Sequence, residues 1–103
     1  MAKSLRLEDL QVYKVAMEIG ESVWLIVDKW DFFQKKTLSV QLITAADSIA
    51  LNISEGYGRF HFKENKNFCY YSRGSARETL TAIVKAKSRT LISDEELNCY
   101  PQN

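Results

Sequence analysis

Apolar residues recur at steps of three and four along three long stretches of the chain, a spacing that is typical of amphipathic α-helices. These stretches predict helices over about residues 8–30, 38–55 and 63–90. The run Ser93-Asp94-Glu95-Glu96 is a capping-box pattern and predicts a short fourth helix over 94–100. The pattern therefore predicts an all-α protein, an antiparallel up-and-down four-helix bundle whose fourth helix is short or truncated.

The first predicted helix carries apolar residues on two faces. The stripe predicted to face the core contains Val12, Ala16, Ile19, Val23, Ile26 and Trp30. The second line lies about 100° around the helix and contains Leu10, Tyr13, Met17 and Trp24. We interpret this second line, with Leu80 and Val84 on the third helix, as the candidate interface of a homo-oligomer. Burial of the second line within one subunit is an equally open alternative.

The second predicted helix has Thr37 as its expected N-cap and ends near two glycines. Its predicted core face contains Leu38, Leu42, Ala45, Ala46, Ile49 and Ile53. We expect Gly56 to end the helix in a left-handed conformation and Gly58 to reverse the chain. Residues on the polar flank are expected to hold this turn. The resulting structural motif contains Ser48, Asn52, Glu55, Gly56 and Gly58.

The third predicted helix combines a core face of small and aromatic residues with a basic outer face. Gly74 is expected to permit tight packing of this helix. The predicted core face contains Phe68, Ser72, Ser75, Ala76, Thr79 and Ile83.

Composition narrows the class of protein further. The chain has 103 residues, of which 46% are hydrophobic and 26% charged, which suits one folded domain over residues 1–103. Because neither a signal peptide nor a membrane span is recognisable, we expect a cytoplasmic protein without a membrane partner. Cys69, Cys99 and His61 do not have the spacing of a usual zinc site, so we predict no metal and no cofactor.

Charge is distributed unevenly along the chain. Residues 1–56 contain six Lys or Arg against eight Asp or Glu, whereas residues 59–89 contain eight against two. Such a basic stripe is suited to phosphate contacts with RNA or DNA, and nearby aromatic side chains are suited to stacking on unpaired bases. An ordinary solvated helix face is the alternative interpretation. The candidate nucleic-acid-binding residues are Arg59, Lys63, Lys66, Arg73, Arg77 and Lys85.

Three segments carry a resemblance to a known family. They are Leu7-Glu8-Asp9-Leu10 with Val12-Tyr13, the block from Gln41 to Arg59 that contains Asn52-Ile53-Ser54-Glu55-Gly56, and Gly74-Ser75-Ala76 with Glu78. In these segments the chain resembles the four-helix bundle proteins encoded within intervening sequences of bacterial 23S rRNA genes.

The resemblance implies an antiparallel bundle that assembles into a ring, commonly a pentamer, with a poorly defined molecular activity. The related accessory proteins of diversity-generating retroelements engage nucleic acid through a basic surface, which favours RNA or DNA as a partner here. A three-helix core without a long fourth helix would leave an apolar groove exposed.

The residues do not indicate a reaction. Gln41, Ser48, Asn52 and Glu55 share one flank of the second helix, but a single carboxylate among amides and hydroxyls is not typical of catalysis. We therefore expect no enzymatic activity. The predicted function is that of a ring-forming protein that binds nucleic acid through the third helix. The alternative is a structural module whose oligomer binds another polypeptide.

Overall fold

A computed structural model describes residues 6–31, 38–58 and 62–95, with the backbone alone for residues 62–64. A 3₁₀ turn at Leu7–Asp9 precedes three helices, which we label α1 (Gln11–Asp28), α2 (Val40–Tyr57) and α3 (Phe62–Ser88). The described parts of the chain contain no β-strand, so the all-α prediction is confirmed.

The predicted fourth helix lies largely outside the described residues. Asp94 and Glu95 are helical, and they directly follow a short connection from α3. The rest of the predicted helix, the capping residue Glu96 and Cys99 fall on residues that the structure does not describe, as do Thr37 and His61.

Helix α2 lies between the other two helices and packs against both of them. Its predicted core face is largely confirmed, because Leu42, Ala45, Ala46 and Ile49 are all buried and Leu38 is buried just before the helix. Small residues on this face permit close approach of the neighbouring helices. Ile53, at the end of the same face, is only half-buried.

One end of the molecule has a large apolar core, which we call the closed end. It combines the last two turns of α1, the start of α2 and the end of α3. The predicted positions Val23, Ile26, Trp30 and Ile83 lie in it. Its buried residues are Val23, Ile26, Val27, Trp30, Leu38, Leu42, Ala46, Ala82, Ile83, Ala86 and Ile92.

The chain re-enters this core directly after α3. The amide of Leu91 donates to the carbonyl of Ala86 (2.9 Å), and the amide of Thr90 donates to that of Lys87 (3.0 Å). These two bonds form a Schellman motif, in which Thr90 takes the left-handed position with φ of 59°. The indole N–H of Trp30 donates to the carbonyl of Leu91 (3.2 Å), and the next residue, Ile92, is buried in the core.

The opposite end, which we call the open end, has a much smaller core. Ala16, Ile49 and Ala50 are buried there, with Tyr13 and Ile53 packed partly against them. The hydroxyl of Ser72 on α3 donates to the carbonyl of Ile49 on α2 (3.0 Å) and is itself buried. This bond connects α2 and α3 where few apolar contacts do so.

Several predicted positions differ from the structure. Val12 and Ala76 were predicted in the core but are exposed, because both lie beside the opening at the open end. Helix α1 begins at Gln11 rather than near residue 8, since Leu10 is extended and separates the 3₁₀ turn from the helix. Helix α2 continues to Tyr57, beyond its predicted end.

The roles predicted for two glycines are wrong. Gly56 lies inside α2, and among the described residues no glycine has a positive φ. A methyl group at Gly56 would lie 2.9 Å from Cβ of Phe68, so this glycine permits close packing of α3 rather than a left-handed turn. Gly74 was predicted to permit tight packing, but it is exposed and an added methyl group would meet no atom within 4 Å.

Candidate nucleic-acid interface

The outer face of α3 carries a line of exposed side chains at alternating steps of four and three residues. These steps keep the side chains on one side of a helix, opposite the buried Ser72, Thr79 and Ile83. We call this line the α3 stripe. It contains Lys66, Tyr70, Arg73, Arg77, Leu80 and Val84.

The first half of the α3 stripe is basic and aromatic. Nζ of Lys66 and Cζ of Arg73 each lie 5.8 Å from the centre of the Tyr70 ring. At this distance a cation is weakly attracted to the ring. Tyr70 nevertheless keeps 52% of its surface exposed. Two cations and an aromatic ring are therefore available together at one accessible place.

The structure places the other candidate basic residues differently. Arg77 lies one turn beyond Arg73 on the α3 stripe, and it is exposed. Lys85 is exposed but lies about 100° around the helix from Val84, beside a shallow depression with Gln41 and Glu78. Lys63 belongs to α3 by its backbone, although its side chain, like the whole of Arg59, falls outside the described residues.

An apolar cleft of about 380 Å³ opens at the open end, between the start of α1 and the start of α3. Such a groove was expected for a core of three helices. Its polar lining includes Asn52, Asn65 and Arg73. Because Arg73 is also a member of the α3 stripe, the cleft adjoins the basic half of that stripe. Its apolar lining includes Leu10, Val12, Ile49, Ile53 and Ala76.

A small polar cluster connects the helices beside this cleft. The side-chain amide of Asn65 donates to the carbonyl of Gly56 (3.0 Å), and Sγ of Cys69 donates to Oδ1 of Asn65 (3.5 Å). Because Gly56 lies in the last turn of α2, its carbonyl lacks the amide four residues later that would donate to it inside a longer helix. Sequence reasoning missed Asn65, since no local pattern shows which distant side chain will satisfy a helix end.

A model of the 23S rRNA-intervening sequence proteins matches residues 8–102 of the chain. The chain belongs to this family. No curated protein matches the chain. Within the described parts of the chain, every helix is too short or too polar to span a membrane.

In this family member the residues of the predicted structural motif make separate local contacts along one flank of α2. The hydroxyl of Ser48 donates to the carbonyl of Thr44 (2.7 Å), and the side-chain amide of Asn52 donates to that of Ser48 (2.9 Å). Glu55 is exposed in the next turn, and Gly58 is the C-cap of α2 with φ of −77°. Ser48 and Asn52 thus each donate a hydrogen bond to the backbone carbonyl one turn earlier in α2.

The candidate interface residues of this family member divide into two groups. Leu10 and Tyr13 are half-buried, and Tyr13 packs against the small core of its own subunit. Met17 and Trp24 remain 44% and 53% exposed, and Leu80 and Val84 on the α3 stripe 46% and 58%. Burial within one subunit therefore explains the position of Tyr13 in part. Met17 and Trp24 on α1, and Leu80 and Val84 on α3, still form exposed apolar surfaces.

Proposed function

We propose that this member of the 23S rRNA-intervening sequence protein family is a non-catalytic homo-oligomer that binds RNA or DNA through the basic half of the α3 stripe. The observation that carries the proposal is the exposed group of Lys66, Tyr70 and Arg73. Cations there would contact phosphates, and the exposed ring would stack on an unpaired base. The expected relation of this family to retroelement accessory proteins, which engage nucleic acid through a basic surface, favours the same assignment.

Local contacts support a non-catalytic role. Ser48 and Asn52, two of the polar residues of the family-like block, each donate to a backbone carbonyl one turn earlier. A nucleophilic hydroxyl would instead require a base within hydrogen-bonding reach. These side chains therefore suit the structure of α2 better than a reaction.

The proposed assembly is a cytoplasmic ring of antiparallel four-helix bundles, a pentamer by resemblance. The contacts that follow α3 support a fourth helix. Ile92 is buried in the closed end, and Asp94 forms an ion pair with Lys87 (2.7 Å) where a helical turn begins. A ring would also repeat each weak phosphate contact and so increase avidity.

The test is a salt titration of binding to RNA and DNA oligonucleotides, single-stranded and duplex. We compare wild type with Lys66→Glu/Arg73→Glu, and use Arg6→Glu/Arg89→Glu as a control with the same change in net charge. Arg6 pairs at the surface with Glu8 and Asp9, and neither control residue lies on the α3 stripe.

We expect wild-type affinity to fall steeply with salt, and the stripe variant to bind about tenfold or more weakly, with a salt dependence reduced by about 0.7–0.9 per lost phosphate contact. The control should bind like wild type. Equal binding by the stripe variant, or an equal loss in the control, would contradict the proposal.

A structural module that binds another polypeptide is the second candidate function, and the apolar cleft favours it. Such binding would bury apolar surface and depend only weakly on salt. Absence of nucleic-acid binding, together with salt-insensitive capture of a polypeptide, would favour this candidate.

A further inference from the structure

The three helices differ in charge. Helix α1 contains one basic and three acidic residues, and α2 contains two acidic residues and no basic one. Helix α3 contains six basic and two acidic residues. The surface formed by α1 and α2 is therefore negative, and that of α3 is positive.

Exposed apolar side chains occur on the negative surface. Met17, Glu21 and Trp24 follow one another at helical spacing on α1, and both apolar members are about half exposed. Beside them, Asp47 and Leu51 of α2 line a shallow cleft of about 360 Å³ with Met17 and Glu21. We call these five residues the acidic face. Glu21 and Asp47 both line this cleft, so a cationic side chain from outside would meet two negative charges there.

Helix α2 approaches α1 closely at this place. A methyl group at Gly20 would lie 2.8 Å from Oδ1 of Asp47, so this carboxylate lies directly over α1. Glu21 follows Gly20 in the chain, and Trp24 lies one turn further along. The two carboxylates and the indole ring thus belong to one continuous surface.

The second half of the α3 stripe has the complementary character. Arg77, Leu80 and Val84 lie on one line, and all three are exposed. We call them the basic-apolar face. It combines two aliphatic side chains with a guanidinium group, which can pair with a carboxylate in a fixed geometry.

We propose that the acidic face of one copy of the chain binds the basic-apolar face of a second copy. The inference rests on the homo-oligomer of the proposed function and names its contact. Trp24 and Met17 would pack on Leu80 and Val84, and Arg77 would pair with Glu21 or Asp47.

Charge complementarity decides the geometry of this contact. Pairing two acidic faces would place carboxylates against carboxylates, and pairing two basic faces would oppose guanidinium groups, so the contact joins unlike surfaces. Every copy presents both surfaces, and a contact of this heterologous kind closes into a ring when its rotation permits. Arg77 then belongs to the contact between copies, which leaves Lys66, Tyr70 and Arg73 for nucleic acid.

The test uses two variants that each remove one surface, Trp24→Glu and Val84→Glu. More than half of each native side chain is exposed, so both variants should keep the helical circular dichroism of wild type. Each variant alone should have the mass of one 11.9 kDa chain by light scattering, under conditions in which wild type is larger. An equimolar mixture at high concentration should form a species of two chains and nothing larger. The intact α3 surface of one variant would then bind the intact α1 surface of the other.

A charge exchange provides a second measurement. Glu21→Arg and Arg77→Glu should each weaken assembly, and the double variant should restore it, because the pair is re-formed with reversed signs. A mixture that stays monomeric while wild type assembles would overturn the proposed contact but not the oligomer. If Trp24→Glu or Val84→Glu alone assembled like wild type, the proposed contact would also be overturned, but not the oligomer. A wild-type monomer at every concentration would overturn the oligomer itself.

Discussion

The closed and open ends of the molecule are built from the same three helices but are stabilised differently. At the closed end the large side chains of Trp30, Leu38 and Ile83 are buried, and Ile92 is added from beyond α3. At the open end the buried core consists of Ala16, Ile49 and Ala50, and a cleft remains beside it. The contact between Gly56 and Phe68 and the bonds of Ser72 and Asn65 hold α2 and α3 together there.

The difference shows what a bundle of this kind requires. Where a further segment of chain covers the gap over the three helices, as Leu91 and Ile92 do, the buried core is large. Where no described segment covers it, the facing apolar side chains line a groove. Stability should therefore be concentrated at the closed end, and ligand-binding surface at the open end.

The largest expected effect compares one truncated isoleucine at each end. Removing a buried Ile side chain to Ala costs about 2–5 kcal/mol, depending on how far the site can relax. Ile83→Ala should be near the top of this range because its site is enclosed. Ile49→Ala should be near the bottom, because solvent can enter from the adjacent cleft. Urea denaturation of both variants at one protein concentration measures the difference.

A smaller loss for Ile83→Ala than for Ile49→Ala would contradict the division into a closed and an open end. Equal protein concentration matters because self-association would add to the free energy of unfolding.

The next effect in size compares two glycines within helices. Gly56→Ala should destabilise the protein by about 1–3 kcal/mol through the clash with Cβ of Phe68. Gly74→Ala should stabilise it by about 0.5–1 kcal/mol, because alanine favours the helix and the site is open. Thermal denaturation of the two variants should therefore shift in opposite directions. A stabilising Gly56→Ala would show that α2 and α3 are not in tight contact at this point.

The smallest expected effect concerns the residue that returns the chain to the closed end. Thr90 is β-branched and has a left-handed conformation, which glycine adopts without a steric penalty. Thr90→Gly should therefore raise the free energy of unfolding by about 0.5–1 kcal/mol. Ser88→Gly, at the last residue of α3, should lower it by up to about 1 kcal/mol. Loss of stability in both variants would argue against the Schellman motif.

Much of the fold could be predicted from local spacing. The three helices, the core face of α2 and the exposed positions of Lys66, Arg73 and Arg77 follow from periodicity within single helices. The core stripe of α1 was right from Ala16 to Trp30, with Ile19 only half-buried. The prediction was wrong at Val12, because the apolar spacing of α1 continues beyond the part of the helix that has another helix packed against it. The basic residues of the candidate site were predicted from the sequence, whereas the proximity of two cations to the Tyr70 ring was not.

The sequence alone determined that this protein is helical, where its three long helices lie and which family it resembles, because these properties depend on residue spacing along one chain. Tertiary structure alone decided the distances between helices. It made Gly56 a packing position rather than a turn, brought Asn65 to the carbonyl of Gly56 at the end of α2 and placed Ile92 in the core. Each of these depends on which distant residue is nearby, and no pattern within one helix contains that information.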